Sequence, residues 1–197
     1  MTKIILASKS AARATLLQNA GVAFASVGAG VDEDIIKTGM LRRHASPAEI
    51  ARVLAEEKAK AASLKHNGLV IGADQTLDLD GALIDKVDSL SDARVRLLRL
   101  RGRAHRLHSA VAVACAGELV FTGADSATLF ARDFSDAWLE GYLDRNGVEI
   151  LGSVGCYMLE GEGAQIFERV EGDYFTILGL PLLPLLSFLR GEGAIAA

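Results

Sequence analysis

Apolar and polar positions along the chain follow two periods. Short, nearly unbroken apolar runs predict buried strands, and stripes recurring every three to four residues predict helices. Residues 3–7 read as a strand. A helix follows over residues 11–20, with Ser10 as its cap and Gly21 where a left-handed exit is needed. Residues 22–27 form a second strand candidate, ending in Asp32-Glu33-Asp34, which by default is a solvated loop. Ser46-Pro47-Ala48-Glu49 combines a serine cap, a proline at the first helical position and a glutamate closing the capping box. The helix it opens runs to about Leu64, with an apolar stripe of Ile50, Val53, Leu54, Ala61 and Leu64. Glu57 falls inside that stripe and Lys58 on its flank, where a lysine ordinarily snorkels to water.

Residues 69–73 are almost wholly apolar, the pattern of a central strand buried on both faces, and end at Asp74. Residues 76–80 then alternate, and Asp80-Gly81 signals a hairpin into residues 82–84. A helix capped by Ser89 or Ser91 runs through Leu100. Residues 107–115 and 118–122 flank Ala116-Gly117 as a second hairpin, with 126–131 as a following strand. Ser135 caps a helix through Arg145. Strands near 154–159 and 166–170 and a last helix from Gly179-Leu-Pro181 complete the pattern. Interleaved helices and strands with two hairpins predict an α/β fold whose central, twisted sheet mixes parallel and antiparallel strands between flanking helices. No repeat or linker divides the chain, so residues 1–197 are expected to form one domain.

Composition narrows the function. Half of the 197 residues are apolar and 23% charged, which excludes wholesale disorder. The net charge of −4 argues against general affinity for nucleic acid or anionic membrane. The longest apolar stretch, 177–189, is broken by Pro181 and Pro184 and reads as a buried segment rather than a span. The N-terminal apolar run is too short for a signal peptide, so a cytoplasmic protein is expected. Cys115 and Cys156 lack disulfide-framework or zinc spacing and read as small buried hydrophobes. Arg94, Arg96, Arg99, Arg101, Arg103 and Arg106 form a basic cluster, read as a solvated face rather than a nucleic-acid surface. Ser109 points away from His108 on a strand and lies about 13 Å from His105, so neither pair is a nucleophile dyad.

Candidate chemistry rests on single residues. Asp74 ends a strand expected to be central, where ligands bind in open α/β sheets. A carboxylate there could hold a divalent cation or accept a proton from water, or merely cap a turn. Ser8-Lys9-Ser10 at a helix start, with Arg13 one turn in, could receive an anion, although alone it is a plain helix cap. Lys58, Lys86 and Glu33 each have an ordinary surface reading. Only together do they suggest cations neutralising a phosphate chain beside carboxylates that hold a metal.

The order of these motifs resembles the Maf-type nucleoside triphosphate pyrophosphatases. The resemblance is carried by Leu6-Ala-Ser-Lys-Ser-Ala-Ala-Arg13, Val31-Asp-Glu33, Glu57-Lys-Ala59, Ile71-Gly-Ala-Asp74, Lys86, Gly102-Arg-Ala-His105, Gly172-Asp-Tyr174 and Gly179-Leu-Pro181, over nearly the whole chain. It implies a Maf/ITPase-like fold of two lobes around a nucleotide cleft, and hydrolysis between the α- and β-phosphates to a monophosphate and pyrophosphate. Asp74 would be the general base, and Ser8, Ser10, Arg13, Lys58 and Lys86 would bind phosphates. Glu33 with Asp74 would hold a divalent cation, Mg2+, Mn2+ or Co2+. The substrate would be the partner, without nucleic acid or membrane; the family often forms dimers, which leaves a homodimer open.

Departures from the family pattern are Ala11 and Ala12, in place of a proline and an arginine, and Asp85 and Val87, in place of a glycine and a proline around Lys86. Gln75 after Asp74, Glu160 in Met158-Leu-Glu-Gly161 and the missing arginine at Ala12 resemble the branch acting on 7-methyl-GTP. A carboxylate can accept from the guanine N1–H and N2–H2 edge, and the methylated ring is cationic. The alternatives are a dTTP/UTP pyrophosphatase of the same family, or a catalytically weakened nucleotide-binding regulator.

Overall fold

The computed structural model describes residues 2–196. Its strands are β1 (Ile4–Leu6), β2 (Ala25–Ser26), β3 (Leu69–Leu79), β4 (Ala82–Ile84), β5 (Ala104–Cys115), β6 (Glu118–Ala131) and β7 (Phe167–Glu171). The helices are α1 (Ala11–Asn19), α2 (Glu33–Leu41), α3 (Pro47–Ser63), α4 (Leu90–Leu100), α5 (Asp136–Asn146), α6 (Tyr174–Ile177) and α7 (Leu182–Gly191). All strands join one mixed sheet of order β2-β1-β3-β5-β6-β7, with β4 also paired to β3. β1 runs parallel to β2 and β3, and the remaining pairs are antiparallel, so the expected α/β class with a mixed sheet and flanking helices holds.

Helix boundaries follow the local chemistry. Ser10, Ser46, Ser89 and Ser135 each accept a backbone N–H in the first turn of their helix, and Ser46 and Glu49 close the full capping box. The acidic triplet is a helix start rather than a loop: Asp32 accepts from the Ile35 N–H, and Glu33 and Asp34 occupy the first turn, where the helix dipole favours anions. On α3 the buried face comprises Ile50 and Leu54, as expected, with Ala51, Ala55, Lys58, Ala59 and Ala62, whereas Leu64 is exposed. The alanines set its phase because small residues let the helix lie close on the sheet. Lys58 is therefore buried instead of snorkelling, and Glu57, expected inside the stripe, is half-exposed beside Lys60.

Two predicted strand ends are strand interiors. β3 runs unbroken through Asp74 and Gln75, and β6 joins the two segments that sequence polarity separates. The expected strand at 154–159 is absent. Those residues form a loop between two 3-10 turns, Gly147–Gly152 and Glu162–Ile166, and Cys156 within it takes a left-handed φ of 60°. Cys115 is exposed at the end of β5, contrary to the buried reading, whereas Cys156 is buried.

Two cores share one face of the sheet. Ile71 and Ala73 of β3 and Val111 and Val113 of β5 pack with α1 and α7 residues such as Leu17 and Leu185. Further along the same strands, Leu77 and Leu107 pack with Leu97 of α4 and Leu139 of α5. Between the cores, Gln75 and Ser109 form a polar seam with the backbone of α6. The opposite face is covered by α3, whose Ala51, Ala55 and Ala59 meet Ala110, Ala112 and Ala114. Gly72 permits this contact: a Cβ there would overlap the Ala55 carbonyl and Ala59 amide.

Candidate active site

The site begins with a gap in strand pairing. On one edge β3 pairs with β1 at residues 69–71 and with β4 at 77–79, leaving 72–76 unpaired there. The gap opens at the carboxyl end of β1, just where a ligand is expected in a sheet with parallel strands. Asp74 thus lies in mid-strand, correcting the expected strand end, yet it faces an opening because β1 stops at Leu6.

A cleft of about 1180 Å³ occupies this opening. Its lining includes Ser8, Ser10, Ala12, Arg13, Glu33, Lys58, Asp74, Gln75, Lys86 and Glu160, so all ten predicted site residues share one cavity. At its floor Lys58 donates to Asp74 Oδ1 at 2.6 Å and reaches Glu33 Oε1 at 2.8 Å. Asp74 and Lys58 are buried, whereas Glu33 is partly exposed. The alternation of β3 turns Asp74 toward α3, and α2 delivers Glu33 from above.

Arg13 closes the gap on the other side. Its Nη1 donates to the Ala73 carbonyl, which the missing neighbour strand would otherwise leave free, at 3.0 Å. Nη1 also lies 3.3 Å from Ser8 Oγ, and Nε donates to the Gly179 carbonyl at 2.8 Å. Gly179 has φ +93°, a conformation that glycine adopts without strain. Burial lowers the Arg13 pKa, with Asp74 and Glu33 partly offsetting it. Lys86 stands exposed on the cleft wall. Its pKa is lowered by the desolvating walls and then by repulsion from Arg13, against attraction from Glu33 and Asp74. Among the described residues, neither Arg13 nor Lys86 forms an ion pair.

The far wall is the loop that replaces the expected strand. Three buried side chains hold it: Arg96 Nη1 donates to the Val154 carbonyl at 2.7 Å, the Tyr142 hydroxyl to the Cys156 carbonyl at 3.3 Å, and His105 Nε2 shares a 2.6 Å hydrogen bond with the Tyr157 hydroxyl. Arg96 is thus an internal anchor, which corrects the solvated reading for that member of the arginine cluster. Glu160 is exposed on this wall. Gln75 turns its amide nitrogen to the carbonyls of Thr176 and Ile177 and to Ser109, at 2.9–3.0 Å. It braces the seam beneath the cleft.

Among the described residues no group of three or more His, Cys, Asp or Glu side chains could by itself hold a metal. Glu33 and Asp74, both in contact with Lys58, are the pair of carboxylates that would suit a hard divalent cation, which proteins commonly hold through one or two carboxylates. Residues missed from the sequence are Lys37, which also lines the cleft, and the wall residues 152–155 and 157–159. A helical reading of 33–41 would have put Glu33 and Lys37 one turn apart on one face.

The architecture and the site define an α/β protein whose sheet opens onto a cleft of paired carboxylates and unpaired cations. The model of the family "Maf-like protein" matches residues 3–192. A nucleoside triphosphate pyrophosphatase of Caulobacter vibrioides is 58% identical, covering 99% of this chain and 98% of the relative. One of Maricaulis maris is 49% identical over 99% of both chains. A 7-methyl-GTP pyrophosphatase of Rhizobium meliloti is 46% identical over 98% of both. This chain belongs to the Maf family. No helix among the described residues is long and apolar enough to cross a membrane.

Proposed function

We propose that the chain is a nucleoside triphosphate pyrophosphatase, a hydrolase acting on acid anhydrides, and that 7-methyl-GTP is its preferred substrate. The observation that carries the activity is a single cleft holding three cations without carboxylate partners among the described residues, Lys9, Arg13 and Lys86, beside the Lys58-bound carboxylate of Asp74. A triphosphate supplies the missing negative charge. Phosphoryl chemistry consists largely of positioning and charge neutralisation, which such a cleft provides.

In this reading Ser8, Ser10, Arg13, Lys58 and Lys86 grip the phosphate chain. Lys58 occupies Asp74 Oδ1, leaving Oδ2 to take a proton from the attacking water. Glu33 and Asp74 would hold Mg2+, Mn2+ or Co2+ together with phosphate oxygens, and a cation bound there neutralises phosphate charge. The base lies toward the far wall, where Glu160 accepts from the guanine edge. Support for the methylated purine is the carboxylate at 160, the uncharged Ala12, and the name of the Rhizobium meliloti relative. Gln75 contributes by holding the seam below the base, its amide donors already engaged.

The test is a panel of 7-methyl-GTP, GTP, dTTP and UTP with Mg2+, Mn2+ or Co2+, following pyrophosphate. The highest kcat/KM is expected for 7-methyl-GTP, and Glu160→Gln should erode that preference. Silence across the panel would remove the activity, while a ranking led by dTTP or UTP would remove only the base assignment.

A further inference from the structure

Helix α2 carries Glu33 and Lys37 one turn apart, so both side chains project to one side, into the cleft. None of its residues is buried. Among the described residues its side chains form two ion pairs to other elements, Glu33 with Lys58 at 2.8 Å and Lys37 with Asp85 at 2.9 Å. The second joins two separate walls of the cleft, because Asp85 lies between β4 and α4, beside Lys86. Its members are unequally placed: the Lys37 side chain is 22% exposed and that of Asp85 58%. Lys37 is the inner partner, close enough to Asp74 and Glu33 for both to stabilise its charge. Burial acts against that charge, but the Asp85 hydrogen bond and these carboxylates outweigh it, so its pKa lies above the ordinary lysine value.

We infer that Lys37 is a further polyphosphate-binding residue and that Asp85 is its resident counter-ion, displaced when substrate enters. The inference rests on the reading of the cleft as a triphosphate site. An exposed carboxylate holds an ammonium weakly, whereas phosphate oxygens carry more charge and form stronger charge-assisted hydrogen bonds to it. Exchange of Asp85 for phosphate transfers the tie between α2 and the opposite wall onto the substrate. Asp85 stands where the family pattern carries glycine, so this competition belongs to the departure noted in the sequence.

The two partners then have opposite effects on affinity, which a purely structural strut would not produce. The measurement is calorimetric titration of the full chain with the α,β-methylene analogue of 7-methyl-GTP and Mg2+. Lys37→Met should weaken binding by roughly three- to tenfold, and Lys37→Arg should restore it. Asp85→Asn should tighten binding by about two- to fivefold, and this gain should vanish in the Lys37→Met background. Weaker binding in both single variants, no change in either, or a gain from Asp85→Asn that survives without Lys37 would overturn the inference. If the unmodified protein binds no analogue, the triphosphate reading itself fails and this one with it; binding with the wrong pattern of signs fails this inference alone.

Discussion

At the scale of single residues the site is an arrangement of charge that is incomplete within the protein. Lys58 is matched by two carboxylates and Lys37 by one, whereas Lys9, Arg13 and Lys86 are matched by none among the described residues. Asp74→Asn keeps the shape and removes the base together with one of the two carboxylates proposed for the cation. It should lower kcat by about 10²- to 10⁴-fold while Kd for a non-hydrolysable analogue changes little, as steady-state kinetics and calorimetry would show. Unchanged turnover would exonerate Asp74. Another residue-scale prediction concerns His105, whose pKa burial lowers to about 4 from 6.5. Nδ1 is buried without a partner, so the charged form is disfavoured. Because the unfolded chain binds the proton more readily, this contribution is complete above pH 6.5 and is lost as pH falls toward 4. At pH 5 the loss is about 2 kcal/mol. Chemical denaturation at pH 7 and pH 5 should therefore show a larger drop for the unmodified protein than for His105→Gln; equal drops would contradict the assignment. Among single residues, Asp74 was legible as an acid after an apolar run. Lys58 was misread because the stripe was phased through Val53, Ala61 and Leu64, whereas the buried face runs from Ile50 and Leu54 through Ala55, Ala59 and Ala62 and so takes in Lys58. Lys37 gave no signal because no helix was assigned between the acidic triplet and Ser46.

At the scale of elements, α3 on β3 fixes the floor of the cleft, and Gly72 permits their close approach. Gly72→Ala should lower Tm by several degrees or prevent soluble expression, since its methyl meets helix backbone that cannot rotate away. A melting temperature equal to that of the unmodified protein would show that the helix can shift. The far wall depends on side-chain anchors. Arg96→Met removes the donor to the Val154 carbonyl and should cost about 1–3 kcal/mol in denaturant unfolding, with a raised KM; an unchanged KM would show that the wall does not touch substrate. Capped helices and tight hairpins were read correctly because their determinants are local: Ser46 with Glu49, or Asp80-Gly81. The wall was not. Residues 154–159 carry the apolar character of a strand, but their backbone groups are met by Arg96 and Tyr142 rather than by a neighbouring strand. Polar residues inside β3 and β6 likewise read as strand ends, because a seam between two cores looks like a boundary in one dimension.

At the scale of the whole molecule, two apolar cores on one sheet face meet at the Gln75–Ser109 seam, and the cleft lies over the gap between β1 and β4. The sheet was legible as mixed from its two hairpins, and the gap was not, because it depends on where β1 stops relative to β3. Residues distant in sequence, from Ser8 to Glu160, converge only through that topology. Chelation should abolish turnover, and Mg2+, Mn2+ or Co2+ should restore it, as pyrophosphate release would report; full activity in a chelator would exclude a metal-dependent route. The most direct measurement is phosphorus NMR of the products formed from 7-methyl-GTP by the unmodified protein and by Asp74→Asn. A monophosphate and pyrophosphate in the first sample, and unreacted triphosphate in the second, are the expected result. A diphosphate with orthophosphate, or equal conversion in both samples, would contradict the account.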